Sequence, residues 1–113
     1  MTQGNIALKT LLAICTFLLA ISAFAEDATQ ANLQGKWKIV KIGNEVNDSN
    51  DVWEFKGNQW IVWSEGKSLS PDPFKVENNV IDLDYSKIKI LEKTTDTMKT
   101  DTSGIIYTLK KLN

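Results

Sequence analysis

The sequence predicts an all-β domain, a small up-and-down antiparallel β-barrel of seven or eight short strands behind an N-terminal signal peptide. Three observations predict it. After Glu26 no long segment has a 3.6-residue apolar period; short runs of alternating apolar and polar residues are separated by turn residues instead. The chain has no room for the crossovers that parallel pairing needs, so neighbouring runs pair antiparallel. An open meander of this length would also leave two unpaired edges and one uncovered apolar face, and closure removes both. An open twisted half-barrel or a sandwich is the second architecture that the same pattern allows.

The first element in chain order is the leader. Lys9 and the α-amino group make a weakly positive start, residues 11–21 are apolar, and Ser22-Ala23-Phe24-Ala25 precedes Glu26-Asp27. Small residues at Ala23 and Ala25 match the pattern that signal peptidase cleaves, which places the cut after Ala25. The uncharged stretch 10–25 covers 16 residues, short of the roughly 20 that a membrane-spanning helix needs, so no stable span is expected after cleavage. Cys15 reads as apolar filler; a lipidated Cys should follow a small residue, and Ile14 is not small. Residues 1–25 are thus expected to be a signal peptide, 26–34 a lead-in segment and 35–113 the β domain of a periplasmic or secreted bacterial protein.

The 88 residues after that cut hold 12 Lys and 14 Asp and Glu, with no Arg, His or Cys. Thiol chemistry, Cys/His zinc sites and imidazole catalysis are therefore excluded for the mature chain, and no cofactor or metal is expected. The slight acidity and lack of Arg remove the electrostatic footprint of a nucleic-acid binder. Such a chain makes one domain, stabilised by its core alone.

The β-like runs follow in order. Residues 36–42 come first, then 51–56 and 58–64, split by Lys56-Gly57-Asn58. Glu65-Gly66 turns the chain, and Ser70-Pro71-Asp72-Pro73 makes a stiffer corner. Residues 74–77 and 80–85 flank Asn78-Asn79, a pair that tolerates positive φ and suits a tight hairpin. Runs 87–93, 95–100 and 104–112 complete the set. From Gly35 to Asn113 there are 79 residues, and eight strands of about six residues with seven turns of about four need roughly 76.

The stretch Asn32-Leu33-Gln34-Gly35-Lys36-Trp37-Lys38-Ile39-Val40 contains Gly35-x-Trp37, and the chain closes with Tyr107-Thr108-Leu109-Lys110-Lys111. With a meander between them, these ends resemble the lipocalin-like, calycin-type small secreted proteins of bacteria. The resemblance implies a barrel with a cup-shaped interior, in which Gly35, Trp37 and Lys111 close the base, the lysine standing over the indole. The chain departs from that family in having Lys where an Arg is usual, in being about half as long, and in placing Asp84-Tyr85 too far from its end to match the family's Asp-Tyr.

Four tryptophans, Trp37, Trp53, Trp60 and Trp63, are the most distinctive side chains. With a strand period of two, Trp53 shares a face with Phe55 and Trp60 with Val62, while Ile61 and Trp63 point the other way. Large indoles fill a core without staples, and exposed ones mark binding surfaces. Trp53, Trp60, Trp63 and Tyr107 are the candidate ligand- or partner-binding residues, with Trp63 assigned to a surface. Asp82 and Asp84 are expected on a solvent face, with Ile81, Leu83 and Tyr85 inward. The loop 44–51 lacks the glycine and terminal Glu of a calcium loop. Lys36, Lys38, Lys110 and Lys111 become neighbours if the first and last strands pair, as a patch that attracts anions or blunts a sheet edge. No nucleophile elbow, phosphate loop or Ser-x-x-Lys is present, and no enzyme is expected. Two functions remain: an exported binding protein for a small apolar or amphipathic ligand, or an envelope protein-binding module (inhibitor, immunity or assembly factor) with a filled core.

Overall fold

The computed structural model describes residues 25–113. The expected leader and Cys15 lie outside the described residues, apart from Ala25. One helical turn, α1 (Gln30–Leu33), precedes eleven strands: β1 (Gly35–Ile42), β2 (Glu45–Val46), β3 (Val52–Lys56), β4 (Gln59–Ser64), β5 (Lys67–Ser68), β6 (Asp72–Pro73), β7 (Lys75–Glu77), β8 (Val80–Asp82), β9 (Lys87–Lys93), β10 (Thr97–Thr102) and β11 (Ile105–Lys111). The strand count exceeds the expected seven or eight because the turns after β1 and β4 and the corner at Pro71 each add a two-residue strand. The eight longer strands overlap the expected runs, with β8 ending early at Asp82 and β10 displaced by two residues to Thr97–Thr102.

All pairs are antiparallel, and the strands form one curled sheet in the order β5-β4-β3-β1-β11-β10-β9-β8-β7, with β2 on β1 and β6 on β4. The first and last long strands meet, with Trp37 opposite Lys111, Lys38 opposite Lys110 and Ile39 opposite Leu109. Residues 72–77 join the two ends of this sheet. Pro73 lies opposite Gln59 and Asp72 opposite Trp60 on β4; one residue later, β7 pairs with β8. The change of partner occurs at Phe74, whose N–H donates to Asn58 O at 3.0 Å while its ring sinks into the core. A proline cannot donate to a ladder, so the seam is bridged by covalent chain rather than by continuous pairing. The result is a curled half-barrel with its edges tied together.

Period-two alternation puts Trp37, Ile39, Trp53, Phe55, Ile81, Ile88, Ile90, Met98 and Leu109 on the concave face, where they form one core. Two bulges change the parity. Val40 is skipped between Ile39 and Lys41 in the pairing of β1 with β11, and Leu91 is skipped where β9 pairs with β10. The second bulge turns Lys93 inward, to 1 % exposure.

The lead-in segment straps the closed end of the sheet. Glu26 N–H donates to Lys93 O at 2.8 Å, Ala28 N–H to Asn79 Oδ1 at 2.8 Å, and Gln34 bonds the Gly57 amide and carbonyl with both ends of its side chain. Thr29 and Asn32 form a capping box that starts α1, which delivers Leu33 into the base of the core.

One expected orientation is corrected. Tyr85 does not face inward with Ile81 and Leu83; it is 68 % exposed. The strand ends at Asp82, and Asp84 takes φ +78°, which turns the chain before Tyr85 and breaks the alternation. The Tyr85 hydroxyl instead donates to Asp72 Oδ2 at 2.8 Å.

Candidate functional site

The closed end of the half-barrel is built around Trp37. Its side chain has no exposed surface, and its indole N–H donates to Leu33 O at 2.8 Å. Two ammonium groups approach the ring, Lys111 Nζ at 5.1 Å and Lys93 Nζ at 5.4 Å from its centroid. Gly35 sits at φ +113°, and a Cβ there would lie 3.0 Å from Lys111 Cε, so both its backbone angle and its missing side chain make room for that lysine. Gly35, Trp37 and Lys111 are thus brought together at one end of the sheet. At this end of the sheet Lys93 is a residue that sequence reasoning missed, as are Thr100 and Thr102 further along the concave face. Strict alternation gave Lys93 no special place, and the bulge at Leu91 brings it inward, where it pairs with Glu26 across 2.5 Å.

Towards the other end the concave face carries an aromatic wall. Trp53 makes edge-to-face contacts with Trp60 (centroids 5.7 Å apart) and Tyr107 (5.5 Å). Trp60, Val62 and Tyr107 lean on the core while remaining partly exposed. The register places Ile42 beside Tyr107 and Ile105 beside Thr102, and these rim residues are 38 % and 47 % exposed. Three side-chain atoms of this concave face are buried with no hydrogen-bond partner: Trp60 Nε1, Thr100 Oγ1 and Thr102 Oγ1. Most buried polar atoms find partners, so three orphans on one apolar face are a chemical feature of the site.

Trp63 does not join Trp53, Trp60 and Tyr107. It lies on the convex face, where its indole N–H donates to Glu54 Oε1 at 2.9 Å and Lys36 Nζ stands 4.6 Å from the ring centroid. A small cavity of about 230 Å³ beside it is lined by Lys36, Asn50, Val52, Trp63, Gly66 and Leu112. The pairing also corrects one reading of the lysines. β1 and β11 are central strands, so Lys38 and Lys110 cannot be blunting an edge.

A larger cavity of about 650 Å³ runs along the bridged seam, between Thr29 and Gln30 of the strap, the Pro73–Phe74 corner and Asp82–Asp84. None of the aromatic candidates lines it. Its two carboxyl-bearing residues are held in a local turn: Asp82 Oδ1 accepts from the Asp84 N–H at 2.8 Å and from Lys87 Nζ at 3.2 Å. Those contacts, the Asp84 amide first and Lys87 second, hold Asp82 below the usual carboxylate range. Among the described residues, no group of three or more His, Cys, Asp or Glu is arranged to hold a metal, and no helix is long and apolar enough to cross a membrane. No protein-family model, no curated protein and no solved structure matches this chain.

Proposed function

We propose that this chain is an exported, lipocalin-like, non-enzymatic binding protein of the periplasm or cell exterior, and that the open half of its cup takes a small amphipathic ligand. One observation carries the reading: an aromatic wall of Trp53, Trp60 and Tyr107 faces the concave side together with three unpartnered polar atoms. The aromatic faces and the rim residues Ile42 and Ile105 offer apolar contact. Trp60 Nε1 and the two threonine hydroxyls supply hydrogen-bonding groups for the polar part of the ligand. The closed half, filled by Trp37, Leu33, Phe55, Met98 and Leu109, holds the wall in place.

Titrating the folded protein with the apolar fluorophore N-phenylnaphthylamine tests this. Saturable one-to-one enhancement, weakened in Tyr107→Ala, is expected. A folded sample that gives no enhancement would mean a filled core and would remove the proposal.

A further inference from the structure

We propose that the convex face of β1, β11, β3 and β4 docks an acidic protein segment that carries one apolar anchor side chain. This surface lies on the opposite side of the sheet from the cup and stands whether or not the cup takes a ligand. The register sets Lys110, Lys38, Val52 and Trp63 in one row across four strands. Lys36 occupies the neighbouring row, opposite Glu54, and Lys41 lies further along β1. Glu54 is occupied by the Trp63 indole. Among the described residues the ion pairs are made by Lys87, Lys93 and Lys99, so Lys36, Lys38, Lys41 and Lys110 have no carboxylate within ion-pair reach.

Placing Lys38 directly opposite Lys110 costs stability, because like charges in cross-strand register repel. In a chain whose net charge is −1, this is a local concentration of positive charge in the middle of the sheet, where no edge needs protecting. A negatively charged partner relieves it. The cavity beside Trp63, about 230 Å³ and lined by Val52, Leu112, the indole and Asn50, has room for one apolar side chain, and Lys36, which also lines it, can meet a flanking carboxylate. A lipid bilayer fits less well. A convex sheet touches a plane along a narrow line, and Glu54 beside Trp63 would be repelled by anionic headgroups.

The test uses the exported protein recovered from expressing cells and three probes: a glutamate–tyrosine copolymer, polyglutamate, and phosphatidylglycerol vesicles. The copolymer is expected to bind tightest, with an affinity that falls as salt is raised. Lys38→Glu converts the opposed pair into an attractive one, so it keeps the fold while weakening the copolymer about tenfold. Trp63→Ala weakens the copolymer and leaves polyglutamate unchanged. N-phenylnaphthylamine binding in Lys38→Glu reports on the cup separately. The proposal is overturned if neither polymer binds, if Lys38→Glu binds the copolymer as the parent does, or if the vesicles bind the protein while the polymers do not.

Discussion

Replacing Trp37 by alanine empties the closed end of the half-barrel, and the structure fixes what is lost. The indole is fully buried, its N–H satisfies the Leu33 carbonyl at the end of α1, and its ring faces two lysine ammonium groups. Truncating a buried Trp costs about 3–5 kcal/mol through lost transfer and cavity terms. The Leu33 carbonyl loses its partner as well, which adds roughly 1 kcal/mol. A domain of this length has a total stability of about 5–10 kcal/mol. Trp37→Ala should therefore be marginal or unfolded at room temperature. Trp63→Ala, on the convex face and only partly buried, should cost less than half as much. Urea denaturation followed by far-UV circular dichroism compares the two. A Trp37→Ala midpoint within error of the parent would refute the role of this residue as the centre of the closed end.

Glu26→Gln should cost about 1–3 kcal/mol, because it leaves the fully buried Lys93 ammonium without a carboxylate, whereas Lys93→Met should stay within about 1 kcal/mol of the parent; equal losses in urea melts would count against the buried-charge reasoning. Gly35→Ala should cost about 1–3 kcal/mol through its positive φ and the contact with Lys111, and a neutral result would show that the turn tolerates a side chain. Lys38→Glu should raise stability by about 0.5 kcal/mol by removing the opposed charges, measured as a higher urea midpoint. Asp82 has its folded pKa depressed by the Asp84 amide and Lys87, so its contribution is present above the unfolded value of about 3.9 and is lost as pH falls through the lower folded value. Asp82→Asn should flatten that acid limb in melts repeated across this pH range, and an unchanged limb would remove Asp82 from the account.

Much of the sheet is legible in the sequence because alternation is a local signal. Trp37, Ile39, Trp53 and Phe55 face inward as period two requires, and the approach of Lys111 to Trp37 follows once β1 and β11 pair. What escapes is set by breaks in that period. Lys93 turns inward only because Leu91 is bulged out, and a bulge leaves no mark in composition. Tyr85 leaves the core because Asp84 takes a left-handed conformation, which Asp tolerates without announcing it. The bridging of the seam at residues 72–77 depends on one short segment pairing with two partners in succession, a long-range fact to which Pro71 and Pro73 give only a hint. The unpartnered atoms of Trp60, Thr100 and Thr102 likewise become visible only when burial and register are both known.

The indole N–H resonances offer the most direct test of the proposed ligand site. The structure gives three of the four tryptophans distinct surroundings: Trp37 bonded to Leu33 O, Trp63 bonded to Glu54, and Trp60 without a partner. In ¹H–¹⁵N spectra recorded while laurate, a simple amphipathic probe, is added, the Trp60 indole signal should move to a saturable end point. The Trp37 and Trp63 signals should hold their positions. If the Trp60 signal stays fixed through the titration, or if only Trp63 moves, the cup takes no amphipathic ligand and the central proposal is contradicted.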